Sequence, residues 1–143
     1  MKRSFFWLSP LLVSSAALTT AAQLPEVRAK PPYDAAAAAA GASTYKTYCA
    51  SCHGKDARGD GPLADALRFA PPDLTRIGRR HNGKLDLGRL HRIIDGREPV
   101  KGHGGGDMPV WGDALLQPHD GYDAGKVKKT IGELVHYLAS IQE

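Results

Sequence analysis

The chain has 143 residues, enough for one domain, and its net charge of +4 is too small to indicate nucleic-acid binding. Hydrophobic residues make up 42% of the chain, but 20 positions are alanine, and there are 16 glycines and 10 prolines. So few bulky apolar side chains argue against a large parallel-sheet enzyme. They predict that a disulfide, a metal or a cofactor helps to build the core.

The first 22 residues have the layout of a secretory signal peptide. Two basic residues precede an apolar run that reaches Leu18, and small residues follow at Thr20–Ala22. The run is shorter than the roughly 20 apolar residues of a membrane span, and a proline interrupts it. We therefore expect cleavage near Ala22 and export to the periplasm, with retention of residues 1–22 as an anchor as the alternative. Residues 23–34 contain three prolines and are predicted to form a flexible leader.

The remaining residues, 35–143, are predicted to form a single helical domain. Asp34 is placed to cap a helix that runs through six alanines to about Ala50. Three further helical segments are predicted, at Leu63–Phe69, Asp86–Asp95 and Asp123–Ile141. Gly96 is a natural stop for the second of these. No segment alternates like a strand, and the Gly-rich connection at 97–112 is long enough to need something to pack against.

Residues 49–53 read Cys-Ala-Ser-Cys-His and contain both cysteines of the chain. Two thiols three positions apart, followed at once by an imidazole, match the attachment site of a c-type haem. The thiols add to the two vinyl groups of the porphyrin, and the adjacent histidine reaches the iron. Cys49 and Cys52 are therefore the candidate attachment residues for one covalent haem c, and His53 is the candidate proximal ligand. The porphyrin would also complete the poor core.

Two other interpretations of the cysteine pair are open at this stage. A thioredoxin-like redox pair belongs near a βαβ pattern, which this sequence lacks. A zinc site needs about four ligands, and Cys49 and Cys52 with two of the six histidines could supply them. The complete pentapeptide in an exported chain favours haem over both.

The chain resembles the class I, mono-haem cytochromes c over residues 35–141. Gly41 and Tyr45 lie eight and four residues before the first cysteine, where that family has a glycine and an aromatic residue in its first helix. Residues 134–138 resemble the family's last helix, in which an aromatic residue, here Tyr137, packs across the first helix. The resemblance implies an all-α class I cytochrome c fold. We expect about three to five helices around a covalently bound haem, with long loops.

The resemblance also implies residues on the proximal side of the haem. Pro72 and Leu74 lie in a segment similar to the one whose proline carbonyl accepts the ring N–H of the proximal histidine. Such a bond fixes the tautomer and orientation of the ligand. Leu74 would pack on the haem. Pro62 is the alternative to Pro72.

On the distal side, the resemblance implies a methionine ligand, and Met108 stands at the expected place, directly before a proline. A thioether favours ferrous iron and raises the reduction potential. His53 and Met108 are thus the two candidate metal ligands. His103, in the Gly-rich loop, is the alternative to Met108. Trp111 would cover the distal edge or a haem propionate, or serve as a core aromatic.

Together these expectations predict that the protein is a periplasmic one-electron carrier and not an enzyme. Its partners would be a donor and an acceptor protein, bound transiently, with a membrane-bound respiratory complex as a further candidate. The carrier itself would be a monomer. The first alternative is a cytochrome c subunit of a periplasmic dehydrogenase or oxidase complex. The second is a ligand-binding haem protein in which Met108 does not hold the iron.

Charge is unevenly distributed along the chain. Eight basic and three acidic residues lie between Arg76 and Lys101. Surface charges of one sign speed the association of a protein with an oppositely charged partner, and they do not require a long-lived complex. We therefore expect this basic segment to flank the exposed haem edge and to meet an acidic patch on a partner. A basic face that serves only solubility is the alternative. The sequence leaves open which of Arg76, Arg79 and Arg80 would pair with haem propionates.

Overall fold

The computed structural model describes residues 32–99, 108–115 and 123–143. The predicted signal peptide, most of the leader and His103 lie outside these ranges. Within them the secondary structure is entirely helical, which confirms the all-α prediction. The α-helices are α1 (Ala35–Tyr48), α2 (Ala50–His53), α3 (Ile77–Arg80), α4 (Leu87–Asp95), α5 (Trp111–Ala114) and α6 (Ala124–Ser140). Short 3₁₀ helices lie at Ala64–Ala66 and Leu74–Arg76. No helix in the described ranges is both long and apolar enough to cross a bilayer.

The two long helices begin at side-chain caps. The Asp34 carboxylate accepts the backbone N–H of Ala37 at 2.7 Å at the start of α1. Asp123 accepts two backbone N–H groups in the same way at the start of α6. Each bond satisfies a donor that the first turn of a helix leaves without a partner. Both starting points agree with those predicted from the sequence.

Helices α1 and α6 cross at Gly41. The backbone of Glu133 and Leu134 lies so close to Gly41 that a Cβ atom there would collide with it. The rings of Tyr45 and Tyr137 pack beside the crossing, with centroids 5.1 Å apart. The packing of Tyr137 across the first helix, which the resemblance implies, is therefore confirmed.

Helix α4 packs against α6 and completes the core. It begins at the Asp86 cap and ends at Gly96, whose φ of 85° is left-handed and suits glycine. Leu90 and Ile94 are buried in one cluster with the apolar face of α6. That face is formed by Val127, Ile131, Leu134, Val135 and Leu138.

The described residues contain six α-helices rather than three to five, because three of them, α2, α3 and α5, are only four residues long. A single turn has too few residues to show helical periodicity, so the sequence gives no signal for it. Helix α5 begins at Trp111, so the last two residues of the predicted 97–112 loop are helical instead. The turn predicted at Leu63–Phe69 is a three-residue 3₁₀ helix, Ala64–Ala66.

Tyr45 joins α1 to the turn that follows the cysteine motif. Its hydroxyl donates to the carbonyl of Gly54 at 2.7 Å, and the side chain is 2% exposed. Burial, with the Cys49 thiol as the next contributor, raises the pKa of Tyr45, so the hydroxyl stays protonated and can donate. We expect Tyr45→Phe to lower the stability by about 0.5–1.5 kcal/mol, because the Gly54 carbonyl loses one of its two donors and keeps the Ala57 N–H at 3.1 Å, while the ring packing is retained.

The measurement for Tyr45→Phe is thermal unfolding, in which the melting temperature should fall by roughly 4–8 °C per kcal/mol for a domain of this size. Tyr33→Phe is the matched control, since Tyr33 is 41% exposed and should be nearly neutral. Equal melting temperatures for Tyr45→Phe and the unchanged protein would show that the hydrogen bond contributes nothing.

Candidate functional site

The cysteine motif is held at the junction of α1 and α2. The carbonyl of Cys49 accepts the backbone N–H groups of Cys52, at 3.2 Å, and of His53, at 2.9 Å. Both cysteines are free thiols; Cys49 is buried and Cys52 is half-buried. The helical turn therefore brings both sulfurs and the imidazole to the wall of one cavity.

The environment of Cys49 does not resemble that of a reactive redox thiol. Burial, with a smaller contribution from Cys52, raises the pKa of the Cys49 thiol to about 12. Thiols of disulfide-exchange sites have a lowered pKa that supplies the thiolate. The zinc alternative also finds no support, because the described ranges hold no group of three or more His, Cys, Asp or Glu side chains placed to bind a metal.

His53 is buried, with 7% of its surface exposed. Burial lowers the pKa of His53, and a hydrogen bond with the backbone of Pro72 opposes that shift. Proline has no backbone N–H, so its carbonyl accepts and the imidazole N–H donates. The imidazole is therefore neutral at pH 7, the form in which a histidine nitrogen can bind a metal. Pro62, the alternative partner, does not line the cavity.

The cavity has a volume of about 320 Å³ and is mainly apolar. Met108, Pro109 and Trp111 contribute to its wall together with His53. The remaining lining residues come from the motif region and from the loop after it: Tyr48, Cys49, Ser51, Cys52, Leu63, Leu67, Phe69, Ala70, Pro71 and Pro72. Among the histidines in the described part of the chain, only His53 lines this cavity.

Most of the site residues expected from the sequence thus lie on one cavity. Trp111 also packs against the core and against the Tyr48 ring, with centroids 5.4 Å apart, which agrees with the core role considered for it; its role at a haem edge or propionate stays a prediction. Leu74 does not line the cavity. It packs against the core, and its N–H donates to the carbonyl of Ala57 at 2.7 Å.

Sequence reasoning missed the wall formed by the loop after the motif. In this loop Leu63 and Phe69 are 50% and 48% exposed and border the cavity, as does Tyr48 at the end of α1, which is 41% exposed. The guanidinium of Arg68 lies over the Phe69 ring, 5.4 Å from its centroid. The sequence did contain a signal for this wall. Large apolar side chains stand in a segment that is too short to form an amphipathic helix that would bury them.

The basic segment does not contribute to the cavity wall within the described residues. Arg89 and Arg92 both pair with Glu98, at 2.7 and 3.2 Å. Arg76 pairs with Asp73 at 3.4 Å, and Arg80 donates to the Asp73 carbonyl. The expectation that this segment flanks the haem edge therefore finds no support here. A sequence shows the number of charges but not which of them are paired in the fold.

The residues present suit a c-type haem. Two thiols are available for the vinyl groups, a neutral imidazole and a thioether are available for the iron, and the rest of the wall is apolar. Pockets for such groups are largely apolar with a few placed polar atoms. The helical fold and this donor set define the class as a c-type cytochrome domain.

A family model described as cytochrome c oxidase, cbb3-type, subunit III matches residues 36–124. The chain belongs to this family, whose members carry a class I c-type cytochrome domain, and the resemblance drawn from the sequence is confirmed. A comparison with curated proteins and one with solved structures each gave no match. The family assigns the domain to haem-binding electron carriers.

Proposed function

We propose that the protein is a periplasmic one-electron carrier with a single haem c. The haem is joined to Cys49 and Cys52, and its iron is bound by His53 and Met108. The observation that supports this proposal is the single apolar cavity that two thiols, one imidazole and one thioether line together. The bound haem would supply an iron that alternates between the ferric and ferrous states.

The protein's own residues would hold that iron in one geometry through both states. The Pro72 carbonyl orients the His53 ring and fixes which nitrogen faces the metal. Pro109 lacks a backbone N–H and has a fixed φ, which stiffens the segment that presents Met108. With His53 and Met108 as its two protein ligands, the iron would have no position open to a substrate, and the domain would perform no catalysis of its own.

Partners would approach at the exposed apolar rim of the cavity, formed by Tyr48, Leu63 and Phe69. Carriers need short-lived contacts, and such interfaces are small, below about 1,200 Å². The proposed partners are a donor and an acceptor protein, and the carrier is a monomer.

A second function, that of a subunit in a respiratory oxidase complex, is favoured by the family to which the chain belongs. The two functions share the same haem chemistry and differ in the lifetime of the complex. Purification under mild conditions separates them, since a stable subunit brings an oxidase with it and a carrier does not. Sequencing of the mature N-terminus tests the periplasmic proposal, which expects Gln23 as the first residue.

Covalent attachment is tested by extraction with acidic acetone. We expect the haem to remain on the polypeptide and the intact mass to include one haem. Replacing both Cys49 and Cys52 with alanine should release all haem, because no thioether can form. Ser51→Ala is the matched control, since it changes the motif without removing a thiol. Complete extraction of haem from the unchanged protein would disprove the attachment.

A further inference from the structure

Gln142 and Glu143, which follow Ile141 after the end of α6, contact the segment next to the cavity. The Gln142 side chain is buried, with 5% exposed. Its Oε1 accepts the backbone N–H of Gly78 at 2.9 Å. Its Nε2 donates to the carbonyls of Leu74 and Leu138, both at 2.8 Å. One carboxamide therefore ties the end of α6 to two points of the Leu74–Gly78 segment.

Glu143 reinforces the same connection. Its backbone N–H donates to the carbonyl of Thr75 at 2.9 Å, and its carboxylate pairs with Arg58 at 2.6 Å. Both partners of the pair with Arg58 are close to half exposed, so the ion pair contributes little to stability. The buried Gln142 bonds are the stronger constraint, because breaking them leaves polar groups without partners away from water.

The opposite side of this segment is attached to the turn that follows His53. The Leu74 N–H donates to the carbonyl of Ala57 at 2.7 Å, and Ala57 is fully buried. Two residues before Leu74, the Pro72 backbone lies within hydrogen-bonding reach of the His53 imidazole, and both residues line the cavity. The segment that carries the Pro72 carbonyl is thus fixed between the Gln142 carboxamide and the turn after the proximal histidine.

We propose that Gln142 is a positioning residue for the proximal ligand, holding the Pro72 carbonyl in hydrogen-bonding contact with His53. This inference rests on the proposed function, in which His53 binds the iron. A buried side chain needed only for packing would be served by leucine or methionine, and the cost of burying a carboxamide is offset here by three bonds to backbone groups. Loosening the segment would weaken the bond to His53, make the imidazole less basic and raise the reduction potential.

Gln142→Met, in the full-length protein loaded with haem, tests this inference. Methionine has a similar length and forms none of the three bonds. We expect a higher midpoint potential and faster solvent exchange of the His53 ring proton, followed by NMR in the ferrous protein. Ile94→Val is the matched control: it removes one methyl group from the core, where Ile94 does not line the cavity. It should lower the melting temperature and leave both readouts unchanged.

Gln142→Asn supplies a second test if the methionine variant does not fold. It keeps the carboxamide on a side chain that is one methylene shorter and cannot reach all three backbone groups, so a smaller shift in the same direction is expected. A folded variant whose potential and ring-proton exchange equal those of the unchanged protein would overturn the inference, even if its melting temperature fell. If the proposed function itself is wrong, the unchanged protein will lack haem or lack the spectrum of histidine ligation. This result differs from the one that would overturn the role of Gln142.

Discussion

Replacement of Met108 with alanine is expected to convert the ferrous protein from a low-spin form that excludes carbon monoxide to a form that binds it readily. Met108 is half-buried on the cavity that His53 also lines, and alanine cannot reach the iron. The reduction potential should fall, because loss of a thioether removes a ligand that favours ferrous iron. A fall on the order of 0.1 V is expected, a modest part of the roughly 0.8 V that axial ligands span. Visible spectra with and without carbon monoxide, and a redox titration, measure both effects.

Leu67→Ala is the matched control for Met108→Ala. Leu67 is half-buried on the same cavity, and its truncation opens similar space without removing a ligand. Its spectrum should stay low-spin and insensitive to carbon monoxide. Met108→His should restore six-coordinate, low-spin iron with a lower potential than that of the unchanged protein. If Met108→Ala leaves the spectrum unchanged, the second ligand lies elsewhere, and His103 becomes the candidate.

The parts of the fold that local chemistry determines could be predicted from the sequence. Asp34, Asp86 and Asp123 lie immediately before runs of helical character, and each caps a helix in the structure. Gly96 ends α4 because a left-handed residue is needed there. The motif at 49–53 is local as well, since its three functional groups lie within two helical turns. These predictions needed no knowledge of tertiary contacts.

The parts that depend on tertiary contacts could not be predicted in the same way. Gln142 stands outside the predicted helices and has no periodicity to mark it, yet two of its three bonds, those with Gly78 and Leu74, join segments more than 60 residues apart. Leu74 lies near Pro72 in sequence, but its side chain packs against the core rather than lining the cavity. Arg89 is one charge in a basic segment until the fold places Glu98 beside it. In each case the partner, not the residue itself, decides the role.

Substitution of alanine for Gly132 and for Gly41 should change the stability of the protein in opposite directions. Glycine inside a helix costs about 0.5–1 kcal/mol relative to alanine, so alanine stabilises a helix where space is available. At Gly132 in α6, no described atom outside the adjacent residues and the helix's own backbone lies within 4 Å of the position that a Cβ would take. Gly132→Ala should therefore raise the stability by about 0.5–1 kcal/mol.

At Gly41 the outcome reverses, because the added Cβ meets the backbone of Glu133 and Leu134 rather than a flexible side chain. Backbone atoms in the middle of α6 cannot rotate away, so α1 and α6 must separate and the packing of Tyr45 on Tyr137 is strained. Overpacking of this kind costs about 1–3 kcal/mol, which exceeds the helix-propensity gain. Gly41→Val should cost more, since its two methyl groups enlarge the collision. Urea unfolding of the haem-loaded variants measures both signs, and a Gly41→Ala protein as stable as Gly132→Ala would show that the helices do not cross at this close distance.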